Sequence, residues 1–388
     1  LTGIALPATP PYRVGGRLDY AGGVVKFADI AGKVGASDLA GALEVDTGPQ
    51  RPVLTADLSS KLVDLKDLGG FIGAEPAGGA NARRAAADGR VLPNDPISLP
   101  KLNAADVHLK YSAARIQGRA QPLDNMRAAL DIENGQVHLH PLSFGIGTGQ
   151  IIGDITLAAA GQQIHAKATI DFRRVDVGKL LNATGVAKGA GTIGGRAVID
   201  GTGRSLAEIL GFGNGELKLF MGPGGNVSAL LVDLSGLQFG NALLSALGIP
   251  DRATLQCMAV DLTLEKGLAT ARTMVLDTDE ARVGAKGWIS LNREMLGLVL
   301  ETDAKHFSVG SLPTPIDVGG TFANPSVAPQ AGPLAARGAA AVALGIVGTP
   351  LAALLPTIQF GTGEDGACQR LLPQVRSAPR VPASSRNR

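Results

Sequence analysis

The chain has 388 residues, 45% of them hydrophobic, which excludes a domain too small to bury a core of its own. Its net charge is only +2, and the lysines and arginines are spread along the chain without forming a basic stripe, which argues against a nucleic-acid partner. Glycine occurs 53 times while aromatic residues reach only 4%, a composition typical of many short strands joined by tight turns. The sequence therefore predicts several ordinary domains or one elongated β-rich repeat structure.

Three segments of the chain resemble one another. Residues 18–46 read LDYAGGVVKFADIAGKVGASDLAGALEVD, and residues 130–158 read LDIENGQVHLHPLSFGIGTGQIIGDITLA. Gly23 matches Gly135 in this alignment, and Gly41 matches Gly153 without any gap between the two pairs. A third copy begins at Val260 and has Gly267 at the place of Gly135. Similarity at fixed spacing predicts a repeat architecture in which each copy is one structural unit.

In chain order the sequence predicts seven segments. They are a first β-repeat at 1–70, a linker or insertion with an Ala-rich helix at 71–104, a second β-repeat at 105–185, strands with a helical segment at 186–250, a third β-repeat at 251–330, apolar C-terminal helices at 331–372 and a disordered basic tail at 373–388. The chain starts at Leu1 without a methionine, so we expect a targeting segment upstream.

Several stretches within these segments have helical patterns. Ser205 precedes 206–210 and predicts an N-capped helix. Other helices are predicted at 78–89, 177–181, 226–247, 309–312 and 333–355. The apolar stretch 338–356 is interrupted by glycine and proline, so we interpret it as short buried helices rather than a membrane span.

The repeats themselves have the alternation of β-strands. Ile164, Ala166, Ala168, Ile170 and Phe172 fall on one face, with His165, Lys167, Thr169 and Asp171 between them. Such a period of two is typical of a sheet with one apolar and one solvated face. Glycine-containing turns such as Glu133-Asn134-Gly135 would join the strands as antiparallel meanders.

We therefore predict a mainly β fold with a few helices. Repeated meanders would build one elongated, curled antiparallel β-sheet enclosing a groove, with helices capping its C-terminal end. The helical segments are too few to cover three repeats, so part of the apolar face should line an open trough. The candidate lining residues are Leu54, Ala56, Leu58, Ile155, Leu157, Ala168, Ile170, Ile289, Leu298 and Leu300.

No set of residues predicts an enzyme, a cofactor or a metal centre. The run 189–194 satisfies GxGxxG but leads into a strand, whereas a dinucleotide site needs it to open a helix. His138 and His140 project together from a strand, but no carboxylate or cysteine joins them at ligand spacing, so we interpret them as solvated. The acidic run 277–280 lacks the glycine and distal glutamate of a calcium loop.

The chain contains two cysteines, Cys257 and Cys368, with a long stretch of chain between them. In an oxidising compartment they could form a disulfide bond, which by loop closure would stabilise the fold by up to about 4–5 kcal/mol. Two separate buried thiols are the alternative, and the sequence alone does not decide between them.

The order of several motifs resembles the C-terminal region of AsmA-family proteins. These motifs are Cys257-x-x-x-Asp261, Gly267, TARTMVLDT at 270–278, GAKGWISL at 284–291, GGTF at 319–322 followed by Asn324-Pro325, AGPLA at 331–335 and Cys368. The resemblance covers nearly the whole chain, although no single motif is specific. The resemblance to proteins of the AsmA and TamB type implies a lipid-lined groove and no catalytic residues.

The resemblance implies a periplasmic protein of a Gram-negative bacterium, anchored to the inner membrane by an upstream segment and concerned with outer-membrane biogenesis. The expected partners are phospholipid acyl chains, the membrane through that anchor, and outer-membrane assembly proteins. Lipid binding or transit along the groove is the leading hypothesis. The alternative is a structural scaffold or docking protein that assists outer-membrane protein assembly without binding lipid.

Overall fold

A computed structural model describes most of the three repeats. The described residues are 11–64, 67, 90–94, 104–117, 123–176, 191–223, 253–305, 307–308, 315–330 and 359–360. The predicted helices at 78–89, 177–181, 226–247, 309–312 and 333–355, the basic tail at 373–388 and Cys368 all lie outside them. Within the segment predicted as C-terminal helices, residues 359 and 360 form a short strand.

Strands account for nearly all of the regular structure in the described residues. The first ten strands are β1 (Tyr12–Ala21), β2 (Val24–Val34), β3 (Ser37–Asp46), β4 (Val53–Asp64), β5 (Asp106–Gln117), β6 (Leu123–Glu133), β7 (Gln136–Ile146), β8 (Gly149–Ala160), β9 (Gln163–Asp176) and β10 (Thr192–Gly203). After helix α1 (Leu206–Phe212) follow β11 (Asn214–Met221), β12 (Leu255–Glu265), β13 (Leu268–Thr278), β14 (Ala281–Ser290), β15 (Met295–Ala304), β16 (Phe307–Ser308), β17 (Ile316–Gly320), β18 (Pro325–Pro329) and β19 (Gln359–Phe360).

Seventeen of these strands form a single open, curled sheet, as the alternation predicts. Each strand from β1 to β14 pairs with its successor in the chain, β15 pairs with β17, and β17 pairs with β18. Strands β16 and β19 form a separate two-stranded pair. Tight turns join many neighbours, and Asn134 and Lys266 adopt positive φ in two of them.

One neighbouring pair in the large sheet, β4 with β5, is parallel. Parallel neighbours cannot be joined by a tight turn and need a long crossover connection. Residues 65–105, which include the whole of the predicted insertion, provide that connection. The insertion therefore allows the second repeat to continue the sheet in the same strand direction as the end of the first.

Strand boundaries follow the sequence repeat closely. The alignment that pairs Gly23 with Gly135 places the first residues of β2 and β3 on the first residues of β7 and β8. It also places the last residue of β4 on the last residue of β9. Strands β6 and β12 have equal length, and each ends in a glutamate directly before the turn to the next strand. The three copies are thus successive four-stranded meanders in one sheet.

Helix α1 forms where the sequence predicts it. Ser205 is the N-cap, and its hydroxyl accepts a hydrogen bond from the backbone amide of Glu208. Ala207 and Ile209 are buried. Among the described residues, no helix has the length and apolarity required to cross a lipid bilayer.

Three clusters of buried apolar side chains mark one end of the strands, which we call the cluster end. They are centred on Val63 and Ile116, on Ile146 and Val175, and on Met221 and Leu255. Because antiparallel strands alternate in direction, β7 finishes and β8 begins at this end. The opposite end, which we call the helix end, carries α1.

Candidate functional site

One line of directly opposed residues crosses the sheet from β1 to β15, and we call it the apolar row. Residues that face each other in neighbouring strands project to the same face of a sheet. Following these pairs gives Leu18, Phe27, Leu43, Ala56, Leu109, Leu130, Leu139, Ile155, Ala168, Ile199, Gly215, Leu264, Ala269, Ile289 and Leu296. No member carries a polar side chain, so the apolar row is continuous across all three repeats.

All ten residues predicted to line a groove lie on this face. Ala56, Ile155, Ala168 and Ile289 belong to the apolar row. Leu54, Leu58, Leu157, Ile170, Leu298 and Leu300 flank it, because each lies two or four residues from a member of the row on its own strand. Their role in holding a ligand stays a prediction.

Most of the apolar row is half-buried. Beyond the exposed edge strand β1, its buried members are Ala56, Leu264 and Ala269, and among the flanking candidates Leu300 is buried in the cluster that contains Met221. Leucine and isoleucine in a packed core are usually fully buried. From β2 to β10 this face therefore retains accessible apolar surface between the two ends of the strands.

At β10, the helix end of the apolar face is covered by α1. Gly201 and Gly203 of β10 lie beneath the helix, and a Cβ atom on Gly201 would come within 2.3 Å of the carbonyl oxygen of Ile209. Glycine at these positions allows the helix backbone to approach the sheet closely. Together with the buried clusters, α1 leaves the accessible apolar surface between the ends of the strands.

Residues 90–94 link α1 to the turn between β14 and β15, which also lies at the helix end. The backbone amide of Ala207 in α1 donates to the carbonyl oxygen of Pro93 at 2.9 Å. Arg90 Nε lies 2.9 Å from Glu294 Oε1 at the turn between β14 and β15. Burial acts to raise the pKa of Glu294, but hydrogen bonds from the Val91 amide and Arg90 outweigh it and lower that pKa below its ordinary value.

The opposite face of the sheet carries a matching polar row. The directly opposed residues are Asp19, Lys26, Glu44, Thr55, His108, Asp131, His138, Thr156, Lys167, Asp200 and Asn214. Opposite charges meet along it, with Lys26 Nζ 3.1 Å from Glu44 and His108 Nδ1 2.8 Å from Asp131. Most of these side chains are well exposed, so this face is the solvated one.

The structure also brings together residues that the sequence left apart. Asp154 of β8 lies beside His138 and His140 of β7. The pattern of β7 alone did not predict that a carboxylate would be close to the two histidines. The signal for this contact is a change of phase in β7. Its apolar residues occupy odd positions at Val137 and Leu139 and even positions from Leu142 onward. Such a change indicates a β-bulge.

The other sequence predictions concern the cysteines and the glycine run. Cys257 is buried on β12, but Cys368 lies outside the described residues, so their pairing stays a prediction. Strand β10 begins at Thr192, inside the GxGxxG run, and no helix opens there. The run therefore lacks the strand-to-helix context of a dinucleotide site.

The chain matches a protein family and a curated relative, but no solved structure. The sequence model described as AsmA family matches residues 24–274. "AsmA family protein YhjG" of Escherichia coli (strain K12) is 33% identical over 393 residues. The alignment covers 97% of this chain but 57% of that relative, so the chain spans little more than half of the relative's length.

Proposed function

The chain belongs to the AsmA family, and we propose on this basis that it binds phospholipid acyl chains on the apolar face of its sheet. In this proposal it is a non-enzymatic protein of the periplasm that takes part in outer-membrane biogenesis. An upstream segment would anchor it to the inner membrane. Lipid would be held or conducted along the sheet between the two membranes.

The observation that carries the proposal is the continuity of the apolar row. Fifteen strands at a spacing of about 4.8 Å give the row a length of roughly 67 Å. The row and its flanking residues form a strip that is accessible in its middle. Large contiguous apolar surfaces are rarely exposed on soluble proteins. Where they occur, they usually mark a binding site.

The exposure of the polar row supports the same function. The charged side chains of the polar row pair with one another in solvent, which is the environment of an outer surface. The apolar row would then line the inner side of the curl, as a trough open to ligand. The small side chain of Ala168 leaves space beside the larger apolar side chains of the row.

The energetics of lipid transfer explain what such a trough would achieve. Exposing an acyl chain to water costs about 0.8 kcal/mol per methylene, or more than roughly 20 kcal/mol for a lipid with two chains. An apolar lining removes most of that cost by burial alone. No covalent chemistry is required, since the headgroup can remain in water.

Site-specific photocrosslinking tests the proposal. A photoreactive amino acid at Ile155, in the apolar row, should crosslink to phospholipid when the protein is expressed in the periplasm. The matched position is Thr156, the next residue on β8, which is also half-buried but belongs to the polar row. Crosslinking at 155 and its absence at 156 are expected, because the two side chains project to opposite faces.

A scaffold with an ordinary packed interior gives a different result. In that case both positions would crosslink only within the protein, and lipid extraction of the purified chain would recover no phospholipid. This outcome would reject lipid binding and leave assistance of outer-membrane protein assembly as the function.

A further inference from the structure

The polar face contains a group of three potential metal ligands on two adjacent strands. His138 and His140 lie two residues apart on β7, and Asp154 lies on β8. His138 Nε2 is 3.1 Å from Asp154 Oδ1, and His140 Nδ1 is 3.0 Å from Asp154 Oδ2. The two imidazole rings are stacked with their centroids 5.6 Å apart.

A β-bulge creates this arrangement. The pairing of β7 with β8 changes register between Leu139 and Leu142, so that His140 and Pro141 together lie opposite Asp154. Without the bulge, the hairpin that begins at Ile146 and Gly149 would place Ile155 opposite His140. Bulges redirect side chains in this way and occur frequently beside functional sites.

The fold does not require these side chains at these positions. The first repeat has the same register change between Phe27 and Ile30, which align with Leu139 and Leu142 of the second repeat. In the same alignment, the counterparts of His138, His140 and Asp154 are Lys26, Ala28 and Ala42. The histidines and the aspartate are therefore additions of the second repeat to a bulge that folds without them.

The donor set and its geometry suit a transition metal. The ligand atoms all lie within 4.8 Å of one another. Donors about 2.1 Å from a tetrahedral zinc ion lie about 3.4 Å apart, which these exposed side chains can reach by small rotations. Two imidazoles and one carboxylate favour zinc, nickel or copper over magnesium or calcium, and leave a coordination position for water.

The surroundings favour a cation as well. Asp131, which is opposite His138 in the polar row, and Glu133 line a shallow cavity together with His138. Carboxylates near a site raise the local concentration of positive ions. We propose that His138, His140 and Asp154 bind one divalent transition-metal ion, zinc in the first place, on the solvated face of the second repeat.

This site does not depend on lipid binding, because it lies on the face opposite the apolar row. Two other histidines of the polar face provide matched references. His108 contacts Asp131, and His165 Nε2 lies 2.6 Å from Asp200 Oδ1. Within the described part of the chain, neither belongs to a cluster of three side chains suited to a metal ion. A simple imidazole–carboxylate pair is therefore available as a control.

The test is calorimetric titration of the untagged chain with zinc chloride, with magnesium chloride as the reference metal. We expect one zinc ion per chain and no saturable binding of magnesium. His140→Asn and Asp154→Asn, on separate strands, should each weaken zinc binding by at least about tenfold, since even residues outside the ligand set change metal affinity by that much. His165→Asn should leave the zinc affinity unchanged.

Circular dichroism would verify that each variant keeps the strand content of the parent chain. The proposal is overturned if the parent chain shows no saturable zinc binding. It is equally overturned if His140→Asn and Asp154→Asn bind zinc as the parent does, or if His165→Asn weakens binding as much as they do.

Discussion

At the scale of single residues, Glu294 is the buried acid whose environment the structure explains most fully. Its carboxylate accepts hydrogen bonds from the Val91 amide and from Arg90, on a segment far away in the chain. Burial alone would favour the neutral acid, but these donors favour the charged form and lower the pKa of the group. The ionised carboxylate therefore fastens residues 90–94 to the turn between β14 and β15.

This lowered pKa makes stability depend on pH. The contribution of Glu294 is present above its unfolded pKa of about 4.5 and is lost as the pH falls through the lower folded value. Glu294→Gln removes the charge, so we expect a loss of about 1–2 kcal/mol in the free energy of unfolding at pH 7. The loss should shrink as the pH falls toward 3.

Denaturant unfolding measured at several pH values would check this expectation. Glu301→Gln is the control, because Glu301 forms an exposed pair with Lys286 on the polar face and should matter by less than about 0.5 kcal/mol. An equal loss for Glu294→Gln at pH 3 and pH 7 would contradict an ionised carboxylate.

At the scale of elements, the contact of α1 with β10 depends on glycine. A Cβ atom on Gly201 would lie 2.3 Å from a backbone oxygen of the helix, which cannot give way as a flexible side chain can. The glycines of β10 allow the helix to approach the apolar face closely at this point. The short helix has little stability of its own, so its position depends on this packing.

We therefore expect Gly201→Ala to displace α1 and to lower the free energy of unfolding by about 1–3 kcal/mol. Gly284→Ala is the matched control, since it lies within β14 and a Cβ atom there would meet no other atom within 4 Å. Thermal unfolding followed by circular dichroism compares the two variants. A similar effect for both would show that the close approach at Gly201 does not determine where the helix lies.

At the scale of the whole molecule, an open trough and a packed core respond differently to added volume. Ala168 lies in the middle of the apolar row and is half-buried, whereas Ala113 is 2% exposed within the cluster of Val63 and Ile116. A leucine at Ala113 has no room and should cost about 1–3 kcal/mol. A leucine at Ala168 would project into the trough.

We expect Ala168→Leu to change the free energy of unfolding by less than about 0.5 kcal/mol, because an open site has no opposing atoms to displace. It should also reduce the phospholipid that is extracted with the purified protein. Urea unfolding and quantitative lipid extraction are the two measurements. A loss of stability as large as that of Ala113→Leu would indicate that the middle of the apolar face is packed.

Local sequence determined a large part of this molecule. The alternation of apolar and polar residues specifies strands and assigns every groove candidate to one face, because side chains of a strand project with a period of two. The same alternation recurs at fixed spacing along the chain. The cap of α1 is equally local, since Ser205 bonds a residue three positions away. These features depend on neighbours in the chain, and they could be predicted from the residues alone.

Tertiary structure decided how distant segments meet. The parallel pairing of β4 with β5, the contact of residues 90–94 with Glu294 and the hydrogen bond of α1 to Pro93 all join parts separated by long stretches of chain. The change of phase within β7 indicates a bulge, but only the pairing of β7 with β8 brings Asp154 to His138 and His140. Such pairings follow from the total free energy of packing and hydrogen bonding across the sheet, whereas a local pattern specifies only each strand and its faces.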